Sequence, residues 1–415
     1  MRVLMVAWGS RGDVQPYLAL GRGLNRAGHE VTVAAARDFE AMVSQAGLGF
    51  SPFDISLEAS DDPVVRRWLA GTDRPSQELG NMRAAVERFA PVFADGLVAA
   101  LAQADAVVCG LLSTWALAPW AASQGKPLVA ALLQPGVPSR LGASLLYPLR
   151  PTATSRLNLA AGWAHVLAMY RLLAPAAQAV HERLGLPRGG LRDHIGSVVD
   201  KPTVLGASPL VVPPAPDWPA HLTVTGYWVQ AAPVDYRPPA GLADFLAAGP
   251  PPLYVGFGSM PLTDSVAMRE LVKAALPGRR LLLGGALHAG PDPVEVVSDA
   301  VVSVGDVPHE WLYPRTGGVV CHGGAGTTAA ALRAGVPVAV VPHMGDQPYW
   351  GRRVHELGLG PAPVHRARLT ADRLAAMVAG FGDPGLRART TRFGLRLREE
   401  RGVQNAVAAI TAVLG

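Results

Sequence analysis

The chain has 415 residues, of which 49% are hydrophobic and 17% are charged. This is enough apolar material for large buried cores, which excludes a largely disordered chain, and the length suggests two domains. The formal charge is +5, from 37 Lys and Arg against 32 Asp and Glu. The basic residues are mostly single arginines without interleaved aromatic residues, so the charge does not indicate a nucleic-acid-binding protein.

The cysteine content and the length of the apolar runs limit the cellular compartment. Cys109 and Cys321 are the two cysteines, and each lies in a strand-like apolar run without metal-ligand spacing. A disulfide scaffold is excluded, and a reducing cytoplasm fits. No run approaches the ~18 apolar residues that a membrane span needs. We therefore expect a cytoplasmic protein with, at most, peripheral membrane attachment.

The first half of the chain alternates short apolar runs with longer helical patterns. RVLMVA, EVTVAAA, AVVCG and PLVAAL are the predicted strands, and VQPYLALGRGLNRAG is the first of the helices between them. This alternation predicts βαβ units around a parallel sheet.

Residues 134–200 interrupt this rhythm. A Pro/Gly/Ser loop is followed by a long apolar helical stretch that starts near Ser155. We expect most of its apolar residues to pack against the sheet and some to line an apolar ligand cavity. The region Leu145–Leu173 also allows docking on a membrane surface.

A proline-rich segment, Pro209–His221, separates the two halves. It has neither a strand nor a helix period, which is typical of a linker between domains. A second alternating series follows, including PPLYVGFGS, RRLLLGG, AVVSVG, GGVVCH and VPVAVVP. The second domain is therefore also predicted to be α/β.

The segment HGGAG, between the predicted strand GGVVCH and the predicted helix TTAAALRAG, carries the sharpest chemical signal. Backbone N–H groups at a helix start, together with the positive end of the helix dipole, form an anion site, and glycines let the backbone approach a phosphate closely. His322 and the threonine hydroxyls add donors. The alternative is a tight turn without a ligand. The segment is not a P-loop, because no GKS or GKT follows, and its glycine spacing does not match GxGxxG.

Three other turns after predicted strands carry polar side chains. Asp13, in GSRGD, is either a helix N-cap or a general base at the carboxyl end of a strand. Ser259, in VGFGSMP, is either a capping serine or a phosphate ligand. Asp346 and Gln347, in PHMGDQP, suit the hydroxyls of a polyol, although an exposed helix start would look the same.

Taken with the DWPAHLTVTGYW segment, the motifs HGGAGTT, DQP, GDVPHEWL and GSRGDVQPYLALGRGL resemble those of family 1 nucleotide-sugar glycosyltransferases. The likeness is greatest to sterol and triterpenoid glucosyltransferases and to bacterial enzymes that glycosylate macrolide and glycopeptide antibiotics. It covers nearly the whole chain and is loosest between about Ser139 and Val199, which faces the acceptor in this family.

The resemblance implies an α/β protein of the GT-B fold, with two Rossmann-like domains facing each other across a deep cleft. The expected boundaries are 1–212 for the acceptor-binding domain, 213–230 for the linker, 231–390 for the nucleotide-sugar-binding domain, and 391–415 for a C-terminal helix that packs back on the first domain.

The resemblance also implies roles for individual residues. Asp13 would accept the proton of the acceptor hydroxyl, with Ser10 and Arg11 close to the acceptor or phosphate. Asp346 and Gln347 would hold sugar hydroxyls. The nucleotide and its diphosphate would contact Ser259, Val307, Pro308, His322, Gly324, Ala325, Gly326 and Thr327. Many plant relatives use a histidine base at the turn where this chain has Asp13.

The expected reaction is the transfer of a hexose from UDP-glucose to a hydroxyl of a large apolar small molecule, with inversion. The alternative donor is a dTDP-deoxysugar, used to tailor an antibiotic. We expect no cofactor and no metal, because the sequence has no DxD motif to hold one on the diphosphate. A nucleotide-sugar epimerase and a non-catalytic nucleotide-sugar-binding protein are further alternatives, and the oligomeric state is not determined by the sequence.

Overall fold

The computed structural model describes residues 1–56, 62–70, 75–230, 235–258, 264–288, 290 and 292–415. Two compact units divide the chain. The first comprises Met1–Trp68, Arg74–Gln230 and Glu400–Gly415, and the second comprises Leu69–Asp73 and Ala231–Glu399.

Within the described residues, the first unit contains a seven-stranded parallel sheet in the order β3-β2-β1-β4-β5-β6-β7. Its strands are β1 (Arg2–Val6), β2 (Glu30–Ala36), β3 (Gly49–Phe53), β4 (Ala106–Cys109), β5 (Leu128–Leu132), β6 (Thr203–Leu205) and β7 (Leu222–Val224). The predicted βαβ alternation is confirmed, because β1 is paired in parallel with β2 on one side and with β4 on the other. The order of the strands reverses between β1 and β4.

The helices of the first unit follow the strands in the predicted alternation. They are α1 (Arg11–Arg26), α2 (Glu40–Gln45), α3 (Pro63–Ala70), α4 (Pro75–Leu101), α5 (Leu111–Ser123), α6 (Arg156–Arg183) and α7 (Leu191–Val199). The long apolar stretch of residues 134–200 forms α6 and α7, and α6 packs against α4 and α5.

Aromatic packing occupies much of the inner face of α6 and α7. The rings of Trp115 and His194 lie 4.8 Å apart, and Tyr170 lies 5.2 Å from Trp115. Leu157 of α6 is exposed, as is Leu149 in the loop before it. We expected this segment to pack against the sheet, but the main partners of α6 are the helices α4 and α5. A ligand cavity and contact with a membrane surface stay predictions.

The second unit contains a six-stranded sheet in the order β10-β11-β9-β8-β12-β13 within the described residues. Its strands are β8 (Leu253–Gly256), β9 (Leu281–Gly284), β10 (Val294–Ser298), β11 (Val301–Val304), β12 (Gly318–Cys321) and β13 (Val338–Val340). Five of them are parallel, and β10 forms an antiparallel hairpin edge with β11 that the sequence pattern did not reveal. The predicted second α/β domain is confirmed.

The helices of the second unit are α8 (Ala240–Ala247), α9 (Ser265–Ala275), α10 (His309–Leu312), α11 (Ala325–Ala334), α12 (Gln347–Glu356), α13 (Ala371–Ala379) and α14 (Pro384–Glu399). One helix, α11, ends as predicted at Gly335, which adopts the left-handed conformation with φ of 74°. Buried leucines and valines of β8, β9, α9 and α13 form one core cluster in this unit, together with Phe257 after β8 and Phe381 after α13.

The predicted linker over 213–230 is wrong, because this segment belongs to the first unit and contains β7. Just before it, Val211 and Val212 are fully buried. Asp217 accepts hydrogen bonds from Ser139 Oγ at 2.7 Å and from the Arg140 amide at 2.7 Å. Its prolines leave no strand or helix period in the sequence, but side-chain hydrogen bonds attach the segment to the rest of the first unit. The units divide between residues 230 and 231.

The chain returns to the first unit later than the predicted boundary at residue 391. Helix α14 stays in the second unit, and the return begins at Glu400. The last helix, α15 (Gly402–Leu414), packs against α1. Gly23 of α1 allows this close approach, because a Cβ there would lie 2.7 Å from Val403 and 2.8 Å from Val407.

In the part of the chain that the structure describes, every helix is too short or too polar to cross a bilayer.

Candidate active site

The predicted donor-binding motifs lie at one edge of the second sheet. GDVP follows β11, FG follows β8, HGGAG follows β12 and PHMGDQ follows β13. These four strands are parallel to one another, with β9 paired in parallel between β11 and β8. Their carboxyl ends therefore lie at the same edge of the sheet. The strand order reverses between β8 and β12, and ligands of open α/β sheets bind at such a reversal. His322 directly follows β12 at this point.

His322 is half-buried, and its Nδ1 is buried without a hydrogen-bond partner among the described residues. Burial lowers the pKa of this imidazole to about 4. The ring is therefore neutral at pH 7 and carries a single N–H. It can donate one hydrogen bond to an anion but brings no positive charge of its own.

Two glycines lie against the His322 ring. A Cβ on Gly324 would lie 2.5 Å from His322 Nε2, and a Cβ on Gly258 would lie 2.9 Å from its Cε1. Gly258 also has a positive φ of 75°, which side chains disfavour. The two glycines therefore create the space that the imidazole fills.

Helix α11 begins directly after this ring, with Gly324 as its N-cap and with no side chain capping it. Its first amides have no partners within the helix and point out of its amino end. Gly326 is exposed, and Ala325 and Thr327 are half-buried. The predicted anion-binding residues thus surround an uncapped helix start, where backbone N–H groups and the helix dipole favour negative charge.

The GDVP loop continues into the short helix α10. Val307 is buried and Pro308 is half-buried. The ring of Trp311, which we expected to stack on or frame a nucleobase, has the Arg315 guanidinium 4.3 Å from its centre, and Tyr236 lies against it at 5.5 Å. One face of this tryptophan is therefore occupied by the protein itself.

An ion pair that the sequence did not reveal connects this loop to helix α11. Glu310 of α10 lies 3.5 Å from Arg333 of α11, and both side chains are largely buried. Burial raises the pKa of Glu310, and the nearby Arg333 opposes that rise. The pair fixes α10 against α11 and so fixes the two loops relative to each other.

The predicted sugar-binding pair, Asp346 and Gln347, has less freedom than its sequence suggests. Gln347 is buried, and its Oε1 accepts hydrogen bonds from the amides of His343 at 2.7 Å and Met344 at 3.1 Å. This oxygen closes the loop after β13, which leaves the amide NH₂ to donate elsewhere. The Oδ2 atom of Asp346 accepts a hydrogen bond from Trp350 Nε1 at 2.5 Å.

The first unit places Asp13 at the point where its own strand order reverses, between β1 and β4. Ser10 is the N-cap of α1, and Asp13 occupies the third helical position. Asp13 Oδ2 accepts hydrogen bonds from the Ser10 amide at 2.8 Å and from Ser10 Oγ at 3.0 Å. The interpretation of Asp13 as the N-cap is therefore wrong. The N-cap is Ser10, and Asp13 completes a capping box from the third helical position.

Capping does not use the whole carboxyl group of Asp13. Its Oδ1 accepts no hydrogen bond from the described residues. Burial raises the pKa of Asp13, and the hydrogen bonds from Ser10 oppose the rise. A fixed carboxylate with a raised pKa and an unused oxygen has the properties of a general base.

Gly9 makes this arrangement possible. Its φ is 136°, and a Cβ there would lie 2.3 Å from Asp13 Oδ2. The carboxyl group therefore folds directly over the turn after β1. Of the other predicted residues, Ser10 is exposed, Arg11 is half-buried and Ser259 lies outside the described residues.

Comparisons with known proteins agree with this architecture. Residues 3–119 match the "Glycosyltransferase family 28 N-terminal domain", and residues 287–408 match the "Erythromycin biosynthesis protein CIII-like, C-terminal domain". The solved structure "glycosyltransferase VinC in complex with DTDP" superposes with a TM-score of 0.64 at 22% identity, over 100% of this chain and 99% of that one. The fold is the GT-B fold, as predicted.

Two curated relatives extend over nearly the whole chain. O-mycaminosyltylonolide 6-deoxyallosyltransferase of Streptomyces fradiae is 35% identical over 99% of this chain and 97% of its own length. Sterol 3-beta-glucosyltransferase UGT80B1 of Arabidopsis thaliana is 30% identical over 99% of this chain and 67% of its own length. The chain therefore belongs to the family of glycosyltransferases that includes these two relatives, and it is an enzyme of the transferase class.

The space left by Gly324 can be tested by Gly324→Ala. Alanine tolerates the backbone of this residue, with φ of −59° and ψ of 144°, so the change acts through its contact with His322. We expect a loss of about 1–3 kcal/mol in the free energy of unfolding, measured in urea, because overpacking must displace the ring.

Gly326→Ala is the matched control. No atom lies within 4 Å of a Cβ at Gly326, and this residue is helical. We expect unchanged stability or a gain of up to ~1 kcal/mol. Equal destabilisation by the two alanines would contradict the steric role of Gly324.

The hydrogen bond from Trp350 to Asp346 can be tested by Trp350→Phe. Trp350 is fully buried, and phenylalanine keeps an aromatic ring while removing the N–H. We expect affinity for the sugar nucleotide to fall about 3- to 10-fold, because the carboxylate loses its fixed orientation. Affinity for the free nucleoside diphosphate should stay constant. Isothermal titration calorimetry measures both.

Trp228→Phe makes the same chemical change in the first unit, where Trp228 Nε1 donates to Thr225 Oγ1 at 2.9 Å. It should leave both affinities unchanged. Equal losses for nucleotide and sugar nucleotide in Trp350→Phe would show that Trp350 supports the loop generally rather than Asp346.

Proposed function

We propose that the enzyme transfers a hexose from a nucleoside diphosphate sugar to a hydroxyl of a large apolar acceptor, with inversion and without a metal. UDP-glucose is the proposed donor, and a sterol, triterpenoid, macrolide or other polyketide is the proposed acceptor. The observation that carries this proposal is the neutral His322 beside the uncapped start of α11, at the reversal of the second sheet.

Diphosphate binding at this place follows from its chemistry. The leaving group gains charge as the bond between the sugar and the phosphate breaks, and preformed N–H donors stabilise that charge. The amides of Ala325 and Gly326 and the Nε2–H tautomer of His322 would supply them. Ser259 is proposed as a further phosphate ligand. In our proposal these donors take the place of a metal.

The nucleoside and the sugar would occupy the neighbouring loops. Val307 and Pro308 would frame the nucleobase from the loop after β11. Asp346 would accept hydrogen bonds from sugar hydroxyls, and the NH₂ of Gln347 would donate one, because Gln347 Oε1 is used within its own loop.

Asp13 would act as the general base. Its carboxylate would take the proton of the acceptor hydroxyl while the acceptor oxygen forms a bond to the anomeric carbon. The bond from that carbon to the diphosphate breaks at the same time, and the nucleoside diphosphate leaves. One displacement from the opposite face inverts the centre, so an α-linked donor gives a β-glycoside.

A dTDP-deoxysugar is the second candidate donor. The name of the Streptomyces fradiae relative describes the transfer of a 6-deoxyhexose, and this relative aligns over 97% of its length. Transfer assays with UDP-glucose and dTDP-6-deoxyhexoses, each against sterols and macrolides, would decide between the donors by mass spectrometry.

Asp13→Asn tests the proposed base. The amide keeps the shape of the side chain but cannot accept the proton, so we expect kcat to fall at least ~100-fold while the affinity for UDP or dTDP stays unchanged. Asp193→Asn is the control, since Asp193 holds the same capping position in α7 and accepts from the Gly190 amide at 2.7 Å. Unchanged turnover in Asp13→Asn would reject this base.

The pH profile of the wild type gives a second readout of the same group. A base works only when it is ionised, so activity should fall as the pH falls through the pKa of Asp13. Because burial raises this pKa, the midpoint of the acidic limb of kcat/KM should lie at a pH above the ordinary aspartate value of about 3.9. Asp13→Asn should lack this acidic limb.

Metal independence is tested by removing metals. We expect full transfer activity after incubation with EDTA, and no increase on adding Mg²⁺ or Mn²⁺, because backbone and His322 donors carry the diphosphate. Activity that EDTA abolishes and magnesium restores would overturn this part of the proposal.

A further inference from the structure

Trp8 follows β1 at the turn that carries Asp13. It directly precedes Gly9, over which the Asp13 carboxyl group folds. Adjacent Cα atoms are about 3.8 Å apart, so the backbone of Trp8 lies one residue from the position against which the proposed base folds. The turn has no other aromatic side chain.

Three phenylalanines hold the Trp8 ring in place. Its centre lies 4.7 Å from that of Phe93, 5.1 Å from that of Phe53 and 6.4 Å from that of Phe89. The first two contacts are edge-to-face, a favourable geometry for aromatic pairs. All three phenylalanines are buried. The orientation of the indole is therefore set by β3 and α4 rather than by the turn itself.

Trp8 itself is only half-buried, and its Nε1–H donates to none of the described residues. This nitrogen is not enclosed by the described part of the chain, so a ligand or water can reach it. By contrast, the indole N–H groups of Trp218, Trp228 and Trp350 all donate within the protein. Trp8 thus presents a solvent-accessible hydrogen-bond donor, with its ring held in place, on the turn that Asp13 folds over.

We propose that Trp8 determines acceptor specificity, with its N–H donating to an acceptor oxygen that neighbours the reacting hydroxyl. The inference rests on the proposed function of Asp13. It specifies the substrate class further: the enzyme prefers apolar acceptors with two neighbouring oxygens, such as diols or hydroxyketones, to those with a lone hydroxyl. The neighbouring oxygen positions the reacting hydroxyl over Asp13.

Three related acceptors test this preference without any substitution: 5α-cholestan-3β-ol, its 2,3-diol, and the 3-hydroxy-2-ketone. We expect the wild type to show a kcat/KM about 2- to 10-fold higher for the diol and the hydroxyketone, the range of one neutral hydrogen bond. The ketone can only accept a hydrogen bond, so its advantage shows that the protein donates. A macrolide aglycone and its singly reduced derivatives provide a second series with the same comparison.

Trp8→Phe then tests the residue. Phenylalanine keeps the packing against Phe53 and Phe93 but lacks the N–H, so the preference should disappear while transfer to the lone hydroxyl continues. Trp8→His, which restores a ring N–H, should recover part of it. Thermal unfolding checks that both Trp8 variants are folded. If one of them is not, the comparison of acceptors in the wild type still tests the predicted preference.

Trp120→Phe is the matched control. Trp120 lies in α5 beside Lys126, whose ammonium donates to the Ala104 carbonyl at the amino end of β4, the edge opposite Asp13. The Trp120→Phe variant should keep the full preference for acceptors with two neighbouring oxygens. A wild type that transfers to both acceptor types equally, or a preference that Trp8→Phe retains, would overturn the inference alone. A wild type that transfers sugar to no acceptor in either series overturns the proposed function and this inference with it.

Discussion

The absence of two Cβ atoms makes the proposed anion site of the second unit possible. His322 can lie against the backbone at Gly258 and Gly324 because neither residue has a side chain. That contact removes water from the ring and lowers its pKa to about 4, which keeps it neutral. In the proposed mechanism, a neutral donor next to an uncapped helix start binds the diphosphate without holding it as strongly as a full charge would.

The turn after β1 uses glycine in the same way for a different purpose. Gly9 lets the carboxyl group of Asp13 fold back on its own turn, where one oxygen caps α1 and the other stays available. In the proposed mechanism, one side chain therefore serves both the stability of α1 and the chemistry. The hydrogen bonds from Ser10 hold the carboxylate in place, and they limit how far burial can raise its pKa.

Long side chains fix the loops that contact the donor in the proposed mechanism. The Glu310–Arg333 pair connects α10 to α11, and Trp350 orients the carboxylate of Asp346 from inside α12. The first contact joins two helices that follow these loops, and the second holds the residue that directly precedes α12. Preorganisation of this kind lowers the entropic cost of binding, since the loops do not have to be ordered by the ligand.

The sequence by itself determined the local features. The strand, turn and helix from Gly318 to Gly335 were predictable because glycine conformation, strand runs and helix caps act over a few residues. The motif spacing and the resemblance to glycosyltransferases also indicated the fold and the enzyme class. For Asp13, the pattern of residues predicted a place at a turn after a strand but not a part in a capping box.

Only the tertiary structure decided what depends on residues far apart in the chain. The order of the strands put the loops after β8 and β12 side by side, and burial by distant residues made His322 neutral. The segment read as a linker became part of the first sheet because Asp217 finds partners at Ser139 and Arg140. Similarly, Trp8 gained its fixed position from Phe53 and Phe93. Such contacts have no local periodicity, so they appear only when the chain is packed.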